Sequence, residues 1–215
     1  MKKFTLVSLV AAAAFATTAA FSASNVFADD TTPAATKTAQ TKGTINLTAN
    51  DGTDANDPYK DITLVSASDI SFGKQHISTA KATYNADTAT GVNVVNPGVA
   101  SGWTVSAKAS DFTGTTGATL KGAVLTLALD NGVAADTTNE STAPFGTADQ
   151  NTKENKGVAI TNAAAPVLTA ADSTQGVGNW TAAINKGATT LAVPAGNVAD
   201  EYTATIDWTL ENTPA

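Results

Sequence analysis

The chain has 215 residues, with twelve lysines, no arginine, nineteen acidic residues and no cysteine, for a formal net charge of −7. Nucleic acid, anionic lipid and polyphosphate all need clustered cations, so this balance argues against the three as partners. Without cysteine there are no disulfides and no thiol chemistry, and stability must come from packing and hydrogen bonding.

Residues 1–28 read as a secretory signal peptide: Lys2 and Lys3, an apolar run from Phe4 to about Phe15, then small residues ending in Val26-Phe27-Ala28. Cleavage is expected between Ala28 and Asp29. Thr17, Thr18 and Ser22 interrupt the run before it could span a bilayer, and no later stretch is apolar enough to insert. No LPxTG motif, hydrophobic tail or basic end follows, which predicts a secreted protein without a covalent anchor. Loss of Lys2 and Lys3 leaves ten lysines against nineteen acids, a balance of −9. Residues 29–43 are Thr, Ala and polar residues without periodicity, a short flexible leader. Residues 44–215 are enough for one domain with its own core.

From Thr44 onward the chain alternates between apolar and polar residues in short runs. Ile45 and Leu47 open the first, and Ile62, Leu64 and Val65 mark the second. Ile70 and Phe72 follow and stop at Gly73. Val92 and Val94 are closed by Asn96-Pro97-Gly98, and Trp103, Val105 and Ala107 come next. Leu125, Leu127 and Leu129 precede an Asp130-Asn131-Gly132 turn. Trp180 to Ile184, then Leu191 and Val193, lead to one strand over 202–210 with Tyr202, Ala204, Ile206, Trp208 and Leu210 on one side. Many period-two runs separated by Gly, Pro, Asn and Asp predict an all-β fold, an antiparallel sandwich or barrel-like domain. Residues 133–157 are polar and aperiodic, a long surface loop with Phe145 as a candidate ligand-facing tip.

Catalysis finds little to work with. His76 is the only histidine, and neither a nucleophile elbow nor a His-Glu-x-x-His pattern accompanies it. Glu140 and Glu154 lie in the polar loop, while Glu201 and Glu211 flank the last strand, a weak set for glycoside hydrolysis. No enzyme and no cofactor are expected. Asp51, Asp54, Asn56 and Asp57 are the best candidates for calcium, yet their spacing is not that of an EF-hand and such residues cluster in turns anyway. No metal is assigned.

The tryptophans carry the strongest signal. Trp103 and Val105 share a strand face, as do Trp208 and Leu210. Turning Trp208 to solvent would turn Tyr202, Ile206 and Leu210 outward with it, so register favours burial of the indole. Trp103, beside Ser101 and Gly102, sits nearer a rim. Trp180, after two glycines in GVGNWTAAI, is the most loop-like and is the candidate to stack on a sugar ring.

These two Trp-x-aliphatic motifs, GWTVSA at 102–107 and YTATIDWTLENTPA at 202–215, resemble the WxL surface domain of Gram-positive bacteria. KGTINLT (42–48), NDP (56–58), ISFGKQHIS (70–78), GNWTAAI (178–184) and LAVPAG (191–196) resemble its other segments in order. The first motif departs from the pattern by reading Trp-Thr-Val. Asn96-Pro97 also stands where relatives commonly carry an Asp-Arg-Gly type of turn. The resemblance implies non-covalent attachment to peptidoglycan at the cell wall, in company with other cell-surface proteins. A structural component held at the wall only through such partners, or binding host matrix, is the alternative.

Overall fold

The computed structural model describes residues 42–45, 61–149 and 151–213. The expected opening strand falls mostly outside them: Ile45 is described, without strand pairing, and Leu47 is not. The Asp51, Asp54, Asn56 and Asp57 loop also lies outside the described residues. Among the described residues thirteen strands follow from Thr63. The first six are β1 (Thr63–Ala67), β2 (Ala82–Asn85), β3 (Gly91–Asn96), β4 (Gly102–Ala109), β5 (Thr113–Gly114) and β6 (Val124–Leu127). Then come β7 (Val133–Ala134), β8 (Val158–Ile160), β9 (Ala165–Ala170), β10 (Gly178–Ala183), β11 (Thr190–Val193), β12 (Tyr202–Thr203) and β13 (Ile206–Thr213).

Every pairing between these strands is antiparallel, and the fold is all-β, as the alternation predicts. Among the described residues the strands make open sheets and no closed barrel. Their orders are β1-β3-β10-β7, β2-β11-β6-β8, β13-β4-β9 and the two-stranded β12-β5. One core lies between them: Val92 and Val94 from β3, Trp103, Val105 and Ala107 from β4, Leu125 and Leu127 from β6, and Val167 and Leu168 from β9. Period-two alternation places each set on one side of its strand.

Strand β9 breaks the simple pattern, and the reason is local. Val167 and Leu168 are adjacent in sequence and both buried. Opposite them, the register of β4 steps from Val105↔Leu168 to Ser106↔Pro166, leaving Val167 as the extra residue of a β-bulge. The bulge lets two consecutive side chains face the core. Pro166 sits across from Ser106, whose backbone bonds run towards β13, so the missing N–H of proline costs nothing in this ladder.

Three sequence expectations are corrected. Ile70 and Phe72 do not form a strand; only Ser71 bridges to Thr88, and Gly73 at φ 63° then turns the chain away. The single strand over 202–210 divides in two: Tyr202 and Thr203 pair with β5, whereas Ile206 onward pairs with β4. Ala204 and Thr205 make the change of sheet between them. The 133–157 stretch is not a plain surface loop, because it supplies β7 and the fully buried Pro144. Phe145, half-buried, exchanges two 2.8 Å backbone hydrogen bonds with Thr169 and so borders β9 instead of forming a tip.

The change of sheet before β13 is pinned by one carboxylate. Asp200 accepts hydrogen bonds from the hydroxyls of Thr115 and Thr116, both at 2.6 Å, and from the Thr116 amide at 3.1 Å. These donors, the Thr115 hydroxyl first, favour the ionised form and lower the pKa of Asp200 below the ordinary carboxylate value. A lowered folded-state pKa adds stability above the ordinary value, and that stability is lost as the pH falls through the folded value. Asp200→Asn is therefore expected to melt earlier at neutral pH. Between about pH 4 and about pH 2 it should lose less melting temperature than the parent protein. Thermal melts across that range check this, and parallel acid slopes for the two proteins would refute it.

Candidate functional site

The two Trp-x-aliphatic motifs lie side by side on β4 and β13. The antiparallel register sets Trp208 opposite Ala107, Leu210 opposite Val105 and Asn212 opposite Trp103. Opposed residues share a face, so the two aliphatics meet in the middle and the indoles stand at opposite ends. Each bulky ring faces a smaller partner across the ladder. Volume is matched by register.

The indoles differ in cover. Trp103 is 0% exposed, and its Nε1 donates to the Gly176 carbonyl at 3.3 Å. Gly176 has φ 66°, and a Cβ there would stand 2.8 Å from Trp103 Cζ2. Only glycine both takes that backbone conformation readily and approaches the ring this closely. Trp208, expected to be buried, is half-buried against the core. It belongs to the outer strand of a three-stranded sheet, hydrogen-bonded among the described residues to β4 alone.

Trp180, expected to be loop-like and open for stacking, is in strand β10, opposite Val94, and 4% exposed. Its Nε1 donates to the Val177 carbonyl at 2.9 Å. The segment after β6 covers it: a Cβ on Gly132 would lie 3.3 Å from Trp180 Cε3, beside the ring of Pro144. A ring so enclosed offers no face to a saccharide.

A concave surface does occur elsewhere. Phe72, Gly73, Lys74 and Gln75 lie along β2 and form an open groove of about 560 Å³ with Tyr84, Asn85 and Asp87. Internal hydrogen bonds hold its shape: Gln75 Nε2 donates to the Phe72 carbonyl at 2.7 Å, and the Tyr84 hydroxyl donates to the His76 carbonyl at 3.0 Å. Phe72 and Tyr84 are half-buried, whereas Lys74, Gln75, Asn85 and Asp87 are exposed. The walls thus combine partly open aromatic rings with amides and both signs of charge. His76 contributes its backbone carbonyl to this network.

A family profile described as the WxL domain, surface cell wall-binding, matches residues 34–214. The chain belongs to the WxL family. No curated protein and no solved structure matches it. In this WxL domain the first motif's valine is as buried as a core position demands, at 0% exposed, so the lost methylene is absorbed by packing against Leu168 and Leu210. The family is one of surface wall binders, not of enzymes.

Sequence reading missed two parts of this domain that matter. Strand β2 carries Tyr84, and its ATYN run is too short and polar to stand out from a loop. The Asn96-Pro97-Gly98 turn is legible in the sequence, but the burial of its asparagine is not. Asn96 Oδ1 accepts from the amides of Gly98 at 3.0 Å and Val99 at 2.8 Å, and its Nδ2 donates to the Val99 carbonyl at 3.1 Å. Asparagine at a turn start gives a signal for local hydrogen bonding, though not for burial.

Proposed function

We propose that this WxL domain is secreted and attaches non-covalently to peptidoglycan, with the indoles as interior supports and the contact made on the outer surface. The family assignment carries the wall-binding reading, and the burial of Trp103 and Trp180 argues that the rings are not the contact. The groove between Phe72–Gln75 and β2 suits the chemistry of the ligand. Half-open Phe72 and Tyr84 can lie against the C–H faces of sugar rings, and Gln75 and Asn85 can bond N-acetyl and peptide amides. Lys74 and Asp87 match the carboxylates and amines of stem peptides.

Sedimentation with purified peptidoglycan sacculi tests this. The protein is expected in the pellet, and Tyr84→Ala combined with Lys74→Ala should weaken binding about tenfold, an effect on the order of 1.4 kcal/mol. Recovery of the parent protein wholly in the supernatant would overturn peptidoglycan attachment. Full binding by the double variant would leave attachment standing and remove the groove from it.

A further inference from the structure

The last strand has one partner and one open side. Strand β4 pairs along the whole of β13, and among the described residues no strand pairs with its other edge. Strand β1 packs close by without hydrogen-bonding to it. The direction of the backbone groups follows from the ladder. The amide of Ala109 turns away from β13 to the Thr161 carbonyl at 2.7 Å, whereas Ser110 donates to the Thr205 carbonyl at 2.9 Å. Alternation from that point directs Asp207, Thr209 and Glu211 towards β4. The N–H and C=O groups of Ile206, Trp208, Leu210 and Asn212 then point outward, and none of them is hydrogen-bonded among the described residues.

Side chains along this edge fall into two sets. Ile206, Trp208 and Leu210 are half-buried on the core side, and Asp207, Thr209 and Glu211 are exposed on the other. No proline and no bulge interrupts the register from Ile206 to Thr213, so the usual protections of an edge strand are missing. What remains is charge. Lys108 reaches Asp207 at 3.5 Å, and Glu211 has Thr104 across from it.

We propose that the β13 edge receives an extended segment of another protein by strand addition, the segment alternating aliphatic residues with lysine or arginine. Its aliphatic side covers the half-open indole of Trp208 and the side chain of Leu210. Its basic side meets Asp207 and Glu211. The outward amides and carbonyls of Trp208 and Leu210 supply main-chain hydrogen bonds, as in other strand-addition complexes. A second copy of this chain fits poorly, because antiparallel pairing of two β13 edges sets Asp207 and Glu211 against the same acids. This edge is separate from the groove assigned to peptidoglycan, so the two proposals stand or fall apart.

The test uses the full chain and a short synthetic peptide alternating valine and lysine, read by amide hydrogen exchange and tryptophan fluorescence. In the free protein the amides of Trp208, Leu210 and Asn212 are expected to exchange quickly and those of Asp207, Thr209 and Glu211 slowly. Saturating peptide should slow the outward set at least about tenfold. Asn212→Pro removes one outward donor while leaving the β4 ladder whole, and it should weaken peptide binding about tenfold, as should Glu211→Lys. If Asn212→Pro proves unfolded by its melting curve, Glu211→Lys decides. Outward amides already protected in the free protein would overturn the proposal, because the chain's own 46–60 segment or a second copy then fills the edge. Equal binding of a valine–glutamate peptide would overturn it as well.

Discussion

Trp103→Ala lowers the free energy of unfolding by about 3–5 kcal/mol, whereas Trp208→Ala lowers it by only about 1–2 kcal/mol. Both rings belong to a Trp-x-aliphatic motif, and both point to the same side of the β4–β13 ladder. The difference comes from cover. Trp103 is enclosed by Gly176 and Ala170, and deleting it opens a void that the surrounding sheets cannot fill while also orphaning the Gly176 carbonyl. Trp208 already has one side open, so its removal gives up less buried area and leaves no closed cavity. For a domain of this size each kcal/mol shifts the melting temperature by roughly 2–4 °C, which separates the two variants clearly. Urea unfolding with an unchanged slope checks the comparison. Sacculus binding by the folded fraction should persist in both, since neither ring is assigned to the wall contact. A Trp208→Ala protein with an unmoved melting curve and lost wall binding would make that indole a contact residue and undo the interior-support reading.

Asn96→Ala is expected to cost about 2–3 kcal/mol, more than a turn residue normally would. Asn96 is fully buried, and its side chain stands in for backbone partners on both sides of the turn. Alanine leaves the Gly98 and Val99 amides without their acceptor beside a buried position, while the Val99 carbonyl keeps the Ser101 amide as a donor at 2.9 Å. The measurement is again the urea midpoint. A shift as small as that of an exposed turn variant would show that the turn relaxes and finds solvent instead. The turn also connects β3 to β4, so a looser link between them should raise exchange of the amides at the start of β4.

Much of this was legible in the chain alone. Alternation in Val92–Val94, Trp103–Ala107, Leu125–Leu127 and Leu191–Val193 placed strands β3, β4, β6 and β11 with the correct residues inward, because the period of a strand is a local property. The likeness of the two tryptophan motifs and their shared family were equally visible. Strand β9 was not, because Pro166 and the adjacent Val167-Leu168 imitate a loop until a partner strand supplies the bulge that faces both residues inward. Nor was the break at Ala204-Thr205. An alternating run looks continuous even when its two halves pair with different strands.

The sequence by itself determined the fold class, the family and the inward side of most strands, since each follows from residue pattern over a few positions. Only the tertiary structure decided the fate of each indole. Trp180 looks exposed in sequence, yet Gly132 and Pro144, thirty-six or more positions earlier, close over it. Trp208 looks buried, yet among the described residues its strand is the outer one of its sheet and the ring is only half-buried. Register fixes which side of a strand a ring takes, and long-range packing fixes whether anything lies there to cover it.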